Sequence, residues 1–337
     1  LVKDWWHAKL QAEIEKRELD GQTATRLIAY VDRLLDRKLP VIFNFEHLSR
    51  LTGIRRGKLA AMVYKTERFY RHFRIPKRSG EWRDIDAPTL ILKDCQRWIL
   101  REILERVAVS DCAHGFVKGR SIVTNASLHS GRPLVINIDV EDFFPSIGWS
   151  KVFNLFRSLG YSKKVCFYLT ALTTLRDAMP QGAPTSPALS NLIVKHLDSR
   201  FAGLAKRQGF QYSRYADDMT FSGDGSPASI VPIVRQIVEE EGFHLNESKV
   251  RIMRSHKRQE VTGLVVNGTP SVRRSHVRWL RQQIYYLRKF GVNDCKHHTE
   301  NGHKNTREFL YGHALFVRMV TPAKGNSLLT ELNSVNW

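Results

Sequence analysis

Tyr215-Ala216-Asp217-Asp218 constrains this chain more than any other segment. The two adjacent carboxylates lie between two runs of period-two alternation, Phe210-Gln-Tyr212-Ser-Arg214-Tyr before them and Met219-Thr-Phe221-Ser after. This pattern predicts a β-hairpin with the acids at its tip. Carboxylates held so close repel each other, and both stay ionised only where a cation compensates them. A lone Asp-Asp is most often a solvated acidic turn. A second acid changes that balance. Asp139 closes the apolar run Leu134-Val-Ile-Asn-Ile138, which is bounded by Pro133 and Pro145 and has the pattern of a buried strand. A rigid strand that ends in a carboxylate at the sheet edge suits a metal ligand, here Mg²⁺ in a two-metal phosphoryl-transfer site.

A strand-end Asp followed by a hairpin bearing Asp-Asp is the three-carboxylate pattern of nucleotide polymerases. Ile138-Asp139-Val-Glu-Asp-Phe-Phe144-Pro-Ser-Ile resembles the first palm motif of reverse transcriptases. Gln181-Gly-Ala-Pro-Thr-Ser-Pro-Ala-Leu-Ser-Asn191 resembles their second palm motif, and Tyr215-Ala-Asp-Asp218 their catalytic hairpin. Upstream, Phe73-Arg-Ile-Pro-Lys77 with Gly80, Arg83 and Pro88 resembles the fingers motif of bacterial members, and His114-Gly-Phe-Val-Lys-Gly-Arg-Ser121 the next block. The five occur in family order. Two shorter blocks, Asn125-Ala-Ser-Leu-His129 and Val261-Thr-Gly263, resemble the Asn-Ala-x-x-His and Val-Thr-Gly signatures of retron reverse transcriptases. By itself the first is an ordinary helix N-terminus and the second a strand-to-turn step.

The resemblance implies a set of roles. Asp139 and Asp217 would bridge two Mg²⁺ ions, with Asp218 supporting the ion at the primer end, while Glu141 and Asp142 would be solvated or paired. Lys77 and Arg83 would hold the triphosphate, as a point charge and a forked guanidinium. Gln181 would contact the incoming sugar and base, and the Phe144 ring would exclude a ribose 2′-hydroxyl. Lys249 would be a general acid toward pyrophosphate. The retron blocks, Asn125, His129, Val261, Thr262 and Gly263, would serve RNA binding or priming. Such an enzyme binds a cognate noncoding RNA, starts from a guanosine 2′-hydroxyl within it, and yields branched RNA–DNA (msDNA). The further partners implied are deoxynucleoside triphosphates and a separate effector protein in antiphage defence.

Charge agrees with a polyanionic partner. Lys and Arg total 53 against 33 Asp and Glu, giving a net charge of +20. Twelve basic residues lie between Lys249 and Lys296, opposed only by Glu260 and Asp294. Arg273, Arg274, Arg278 and Arg281 surround an apolar seam of Val277, Leu280, Ile284 and Leu287, the pattern of a basic helix tracking phosphates. Cys95, Cys112, Cys166 and Cys295 lack Cys-x-x-Cys pairing, so neither zinc nor a disulfide framework is expected. No run approaches the ~18 apolar residues of a membrane span, and no signal peptide stands at the N-terminus. The expected location is the cytoplasm. His297, His298 and His303 lie in a polar stretch expected to be a solvated loop.

The expected fold is α+β, a polymerase right hand of fingers, palm (an antiparallel sheet backed by helices) and helical thumb. Residues 1–46 form an N-terminal helical extension in which Trp5 and Trp6 dock into a core or stack on a base. Fingers follow at 47–132, the palm at 133–265 with a fingers-like helical insertion at about 150–180, and the basic thumb at 266–337. Within the fingers, Phe45–Ile54 and Arg55–Leu59 read as two short helices rather than a DNA-reading helix-turn-helix. Ile91 to Val107 has helical spacing, and Ser226-Pro227 caps a helix that ends at Gly242. Three rivals differ by sequence. A group II intron-like reverse transcriptase is expected to run on into a maturase segment, and a viral RNA polymerase to carry Gly-Asp-Asp. A non-catalytic RNA scaffold has no need of three clustered acids.

Overall fold

The computed structural model describes residues 2–76, 80–295, 306–335 and 337. The chain divides into two compact units, each discontinuous in sequence. The first is Leu1–Asp111, Val140–Ser199 and Glu241–Phe243; the second is Cys112–Asp139, Arg200–Glu240 and His244–Trp337.

The first unit opens with α1 (Val2–Lys16), α2 (Gly21–Asp36), α3 (Phe45–Thr52) and α4 (Arg56–Tyr64). Asp20 caps α2 by accepting from the Thr23 amide, and Asn44 caps α3 by accepting from His47. Trp6 packs edge-on against Phe43 at 6.0 Å, while Trp5 stays 56% exposed. The strands β1 (Tyr70–Pro76) and β2 (Trp82–Pro88) form an antiparallel ribbon with Ile75 opposite Arg83. Helix α5 (Leu90–Glu102) follows, with Leu92, Cys95, Gln96 and Ile99 on its buried face. The chain then passes through α6 (Ile122–Ser127) and β3 (Leu134–Asp139) of the second unit. It returns to the first with α7 (Trp149–Ser158), α8 (Lys163–Thr173) and α9 (Ser186–Ile193).

After α10 (Lys195–Arg207), the second unit continues with β4 (Phe210–Tyr215), β5 (Asp218–Gly223) and α11 (Pro227–Glu240). The short strands β6 (Arg251–Arg254), β7 (Glu260–Val261) and β8 (Leu264–Val265) come next, then the helices α12 (Arg274–Cys295), α13 (Thr306–Val320) and α14 (Pro322–Asn333). Its sheet has the order β4-β5-β3-β6, every pair antiparallel. β3 lies inside it with both neighbours paired and is buried on both faces, which explains its nearly continuous apolar sequence. On one face Phe201 of α10 packs edge-on against Tyr212 and Phe221, at 5.4 Å from each. The seam of α12 is buried at Leu280, Ile284 and Leu287. It shares a core with Val261, Leu264 and Val266, with Leu310, Ala314 and Val317 of α13, and with Leu328 and Leu332 of α14. Among the described residues no helix is long and apolar enough to cross a membrane.

Candidate active site

The sheet of the second unit brings the three acids to one end. Asp139 ends β3 directly opposite Asp218, which begins β5, and Tyr215 faces Asp218 across the hairpin, leaving Ala216-Asp217 as a two-residue loop. Side chains alternate along strands. Asp139 and Asp218 therefore share one sheet face with Asn137, Thr220, Ser213 and Ser222, while Tyr212, Arg214, Met219 and Phe221 lie on the other. Asp139 is 6% exposed. The tip of Asp218 is open to solvent, but the protein packed around it, then the charges of Asp217 and Asp139, push its pKa up to about 6 against the pull of Lys249 and Arg251. Lys249 Nζ lies 2.5 Å from Asp139 Oδ2, and this bond raises the pKa of the amine. The Asn246 amide donates to the Asp139 carbonyl at 2.9 Å, which ties the Lys249 segment to β3.

This donor set suits Mg²⁺: hard oxygens from neighbouring register positions, with mutual repulsion that a cation would relieve. As arranged, the Asp139 carboxylate is turned to Lys249. No cluster of three or more His, Cys, Asp or Glu side chains among the described residues is gathered to hold an ion.

The hairpin loop is strained and clamped. Ala216 has φ +58°, the conformation a II′-type turn demands at its first central position and one usually filled by glycine. Such a residue persists only where its surroundings over-determine it. Two contacts do so here. Arg214, fully buried, donates from its guanidinium to the Ala216 carbonyl at 3.0 Å. The segment 112–115 pairs with the edge of β4, His114 N donating to Arg214 O at 2.7 Å and Arg214 N to Cys112 O at 2.8 Å. This lays Gly115 on the turn, where a Cβ would stand 2.5 Å from the Ala216 nitrogen. Gly115 and Arg214 therefore fix the peptide that leads into Asp217.

Helix α6 covers the acid-bearing face away from that tip. Asn125 and His129 are 1% and 0% exposed. The Ser213 hydroxyl donates to Asn125 Oδ1 at 2.7 Å, so it accepts from His129 Nε2–H at 2.7 Å, and His129 Nδ1 accepts from the Ser222 hydroxyl at 2.7 Å. Burial, helped by His114 and Arg132, lowers the His129 pKa to about 3, and it is this neutral ring that leaves Nδ1 free to accept from Ser222. Both residues thus point into the fold, and the two positions between them that the retron signature leaves open, Ser127 and Leu128, are exposed. The β7–β8 turn joins the same construction. Thr262 and Gly263 have φ +48° and +79°, as in a I′ turn, and Thr262 Oγ1 donates to Ile122 O of α6 at 3.2 Å. Asn137 Nδ2 donates to Glu260 O at 2.7 Å, fastening β3 to β7. The two retron blocks therefore meet: Val261, fully buried, and Ala126 share one apolar cluster.

Arg83, Gln181 and Phe144 belong to the first unit. Arg83 is exposed on β2, and three residues along the strand the Asp86 amide donates to Gln181 O at 2.8 Å. Phe143 is buried against Phe243, leaving Phe144 partly exposed. Lys77 and the histidines 297, 298 and 303 lie outside the described residues. At the start of α12 the arginines separate: Arg273, just before the helix, pairs with Glu260, while Arg274, Arg278 and Arg281 line a cavity. Sequence inspection missed Gly115, Arg214, Ser213 and Ser222. The available signal was Arg214, a charge at a strand position with the same parity as Phe210 and Tyr212.

Comparison with known proteins finds similarity over most of the chain. The family described as "Reverse transcriptase (RNA-dependent DNA polymerase)" matches residues 75–284. The retron Mx162 reverse transcriptase of Myxococcus xanthus is 37% identical, over 86% of this chain and 66% of its own length. The retron Mx65 enzyme of the same organism is 36% identical, over 86% of this chain and 71% of its own. The retron Ec86 reverse transcriptase of Escherichia coli is 34% identical, over 76% of this chain and 81% of its own.

Proposed function

The chain belongs to the reverse transcriptase family of RNA-dependent DNA polymerases, and on that premise we propose that it copies a cognate noncoding RNA into DNA from deoxynucleoside triphosphates. The observation that carries this is the register of β3 against β5, which sets Asp139 opposite Asp218 with Asp217 in the adjoining turn. Asp139, Asp217 and Asp218 would hold Mg²⁺, two ions in all, and the bound ions would lower the charge cost at the attacking and leaving oxygens of the α-phosphate. Lys249 pairs with Asp139 where no metal is bound, and its ammonium would give a proton to departing pyrophosphate. Arg83 and Lys77 would take the triphosphate, Gln181 the sugar and base, and Phe144 the space of a 2′-hydroxyl. Arg274, Arg278 and Arg281 would take RNA phosphates.

Likeness to retron enzymes supports a start at a guanosine 2′-hydroxyl, giving branched msDNA, in the cytoplasm and in antiphage defence with a separate effector. Asn125 and His129 would act in that start by seating α6, with Ser127 and Leu128 turned outward. Sequencing the nucleic acid that copurifies with the protein tests the proposal. A branched RNA–DNA is expected. Spliced intron RNA would replace the retron assignment by an intron-encoded one, and RNA without DNA would contradict synthesis.

A further inference from the structure

The start of α12 and the start of α14 flank a half-open cavity of about 320 Å³ lined by Ser271, Arg274, Arg278, Arg281, Thr321 and Lys324, with Val272 and Val277 in its walls. Arg274, Arg278 and Arg281 recur at the spacing of one helix face. Lys324 enters from the first turn of α14, whose N-cap, Thr321, makes no side-chain capping bond. Among the described residues none of these four cations forms an ion pair. The contrast with the adjacent Arg273 is sharp, because Arg273 and Arg258 share the carboxylate of Glu260.

Four like charges around one concavity repel each other, and no carboxylate lines the cavity to offset them. The positive end of the α14 dipole adds to the field. An anion with several acceptor oxygens relieves all of this at once, and forked guanidiniums match phosphate oxygens. At roughly 30 Å³ per water the cavity holds about ten waters, room for a phosphate with its attached sugar rather than a bare halide.

We propose that this cavity is a discrete phosphate site that grips one backbone phosphate of the bound RNA and so fixes the register of the RNA on α12. The proposal rests on the RNA-binding reading of α12 and goes beyond it: the cavity, not charge alone, supplies the affinity. The two hydroxyls, Ser271 and Thr321, complete a donor set that a flat basic helix face does not have.

The test uses the full chain, a 5′-hydroxyl RNA hairpin as polyanion and inorganic pyrophosphate as small probe. Two double variants remove equal charge: Arg278→Gln with Lys324→Gln at the cavity, and Arg288→Gln with Lys289→Gln farther along α12. The cavity pair should weaken hairpin binding at least about tenfold more than the outer pair at the same salt, the size of one charge-assisted contact. At matched ionic strength, pyrophosphate should raise the unfolding temperature of the wild type and the outer pair by more than that of the cavity pair, which keeps only the active-site contribution. Equal losses of hairpin affinity would overturn the cavity while leaving α12 as an RNA-binding helix. No loss in either pair would overturn both. Stabilisation by pyrophosphate without a difference in hairpin binding would reveal a small-anion site and overturn the RNA contact.

Discussion

Replacing His129 by glutamine should remove a pH-dependent part of the protein's stability. His129 is buried, and its pKa in the fold is lowered to about 3 from 6.5. Between those values the unfolded chain binds a proton that the folded chain refuses, so stability is full above pH 6.5 and falls as pH falls. From pH 7 to pH 5 this amounts to about 1.4 pH units of differential protonation, or about 2 kcal/mol. A glutamine amide in this place still offers a donor and an acceptor to Ser213 and Ser222 but does not titrate. Urea unfolding at both pH values, wild type against His129→Gln, isolates the contribution because all other groups cancel in the double difference. The wild type should lose about 2 kcal/mol more than the variant. His129→Ala should cost about 2–4 kcal/mol at pH 7, from two lost hydrogen bonds and a Ser222 hydroxyl left without its acceptor. Parallel pH dependence in wild type and His129→Gln would refute the neutral, doubly bonded imidazole.

Arg214→Met and Gly115→Ala should each raise the Mg²⁺ concentration needed for half-maximal synthesis and weaken Mn²⁺ binding measured by calorimetry, since both release the turn before Asp217; Ala216→Gly, which suits a positive φ, should leave both intact. Unchanged metal affinity in a folded Arg214→Met would show that the clamp does not govern the acids. Phe144→Ala should admit ribonucleotides in primer extension with mixed nucleotides, and unchanged sugar selectivity would return Phe144 to a packing role. Asp218 is raised to about 6, so protons should compete with the metal below that pH and apparent Mg²⁺ affinity should rise as pH passes upward through it. An affinity flat from pH 5 to 7 would contradict the raised Asp218 pKa, which burial and then the neighbouring carboxylates produce.

Features governed by local spacing are legible in the sequence. The alternation around Asp217 and Asp218 is the β4–β5 hairpin, the run Leu134–Ile138 is β3, and the seam of Leu280, Ile284 and Leu287 is the buried stripe of α12. The Ser226-Pro227 start of α11 was equally plain because caps are written in adjacent residues. Pairings between distant residues were hidden. His129 meets Ser213 and Ser222 from 84 and 93 positions away, and no local pattern records the partners of a buried polar group. Gly115 looks like one more glycine until the Ala216 backbone is seen against it. Arg273 could not be told from Arg274 by composition, because the difference is the single carboxylate of Glu260.

Primer extension on an RNA template, with Asp217→Asn beside the wild type, tests the central claim most directly. The wild type should build complementary DNA from deoxynucleotides in a Mg²⁺-dependent reaction. Asp217→Asn should lose synthesis by orders of magnitude while binding the same RNA with nearly unchanged affinity, because the acids and the α12 cations are separate features of the chain. Full synthesis by Asp217→Asn, or no RNA-templated DNA from a folded wild type, would contradict the account.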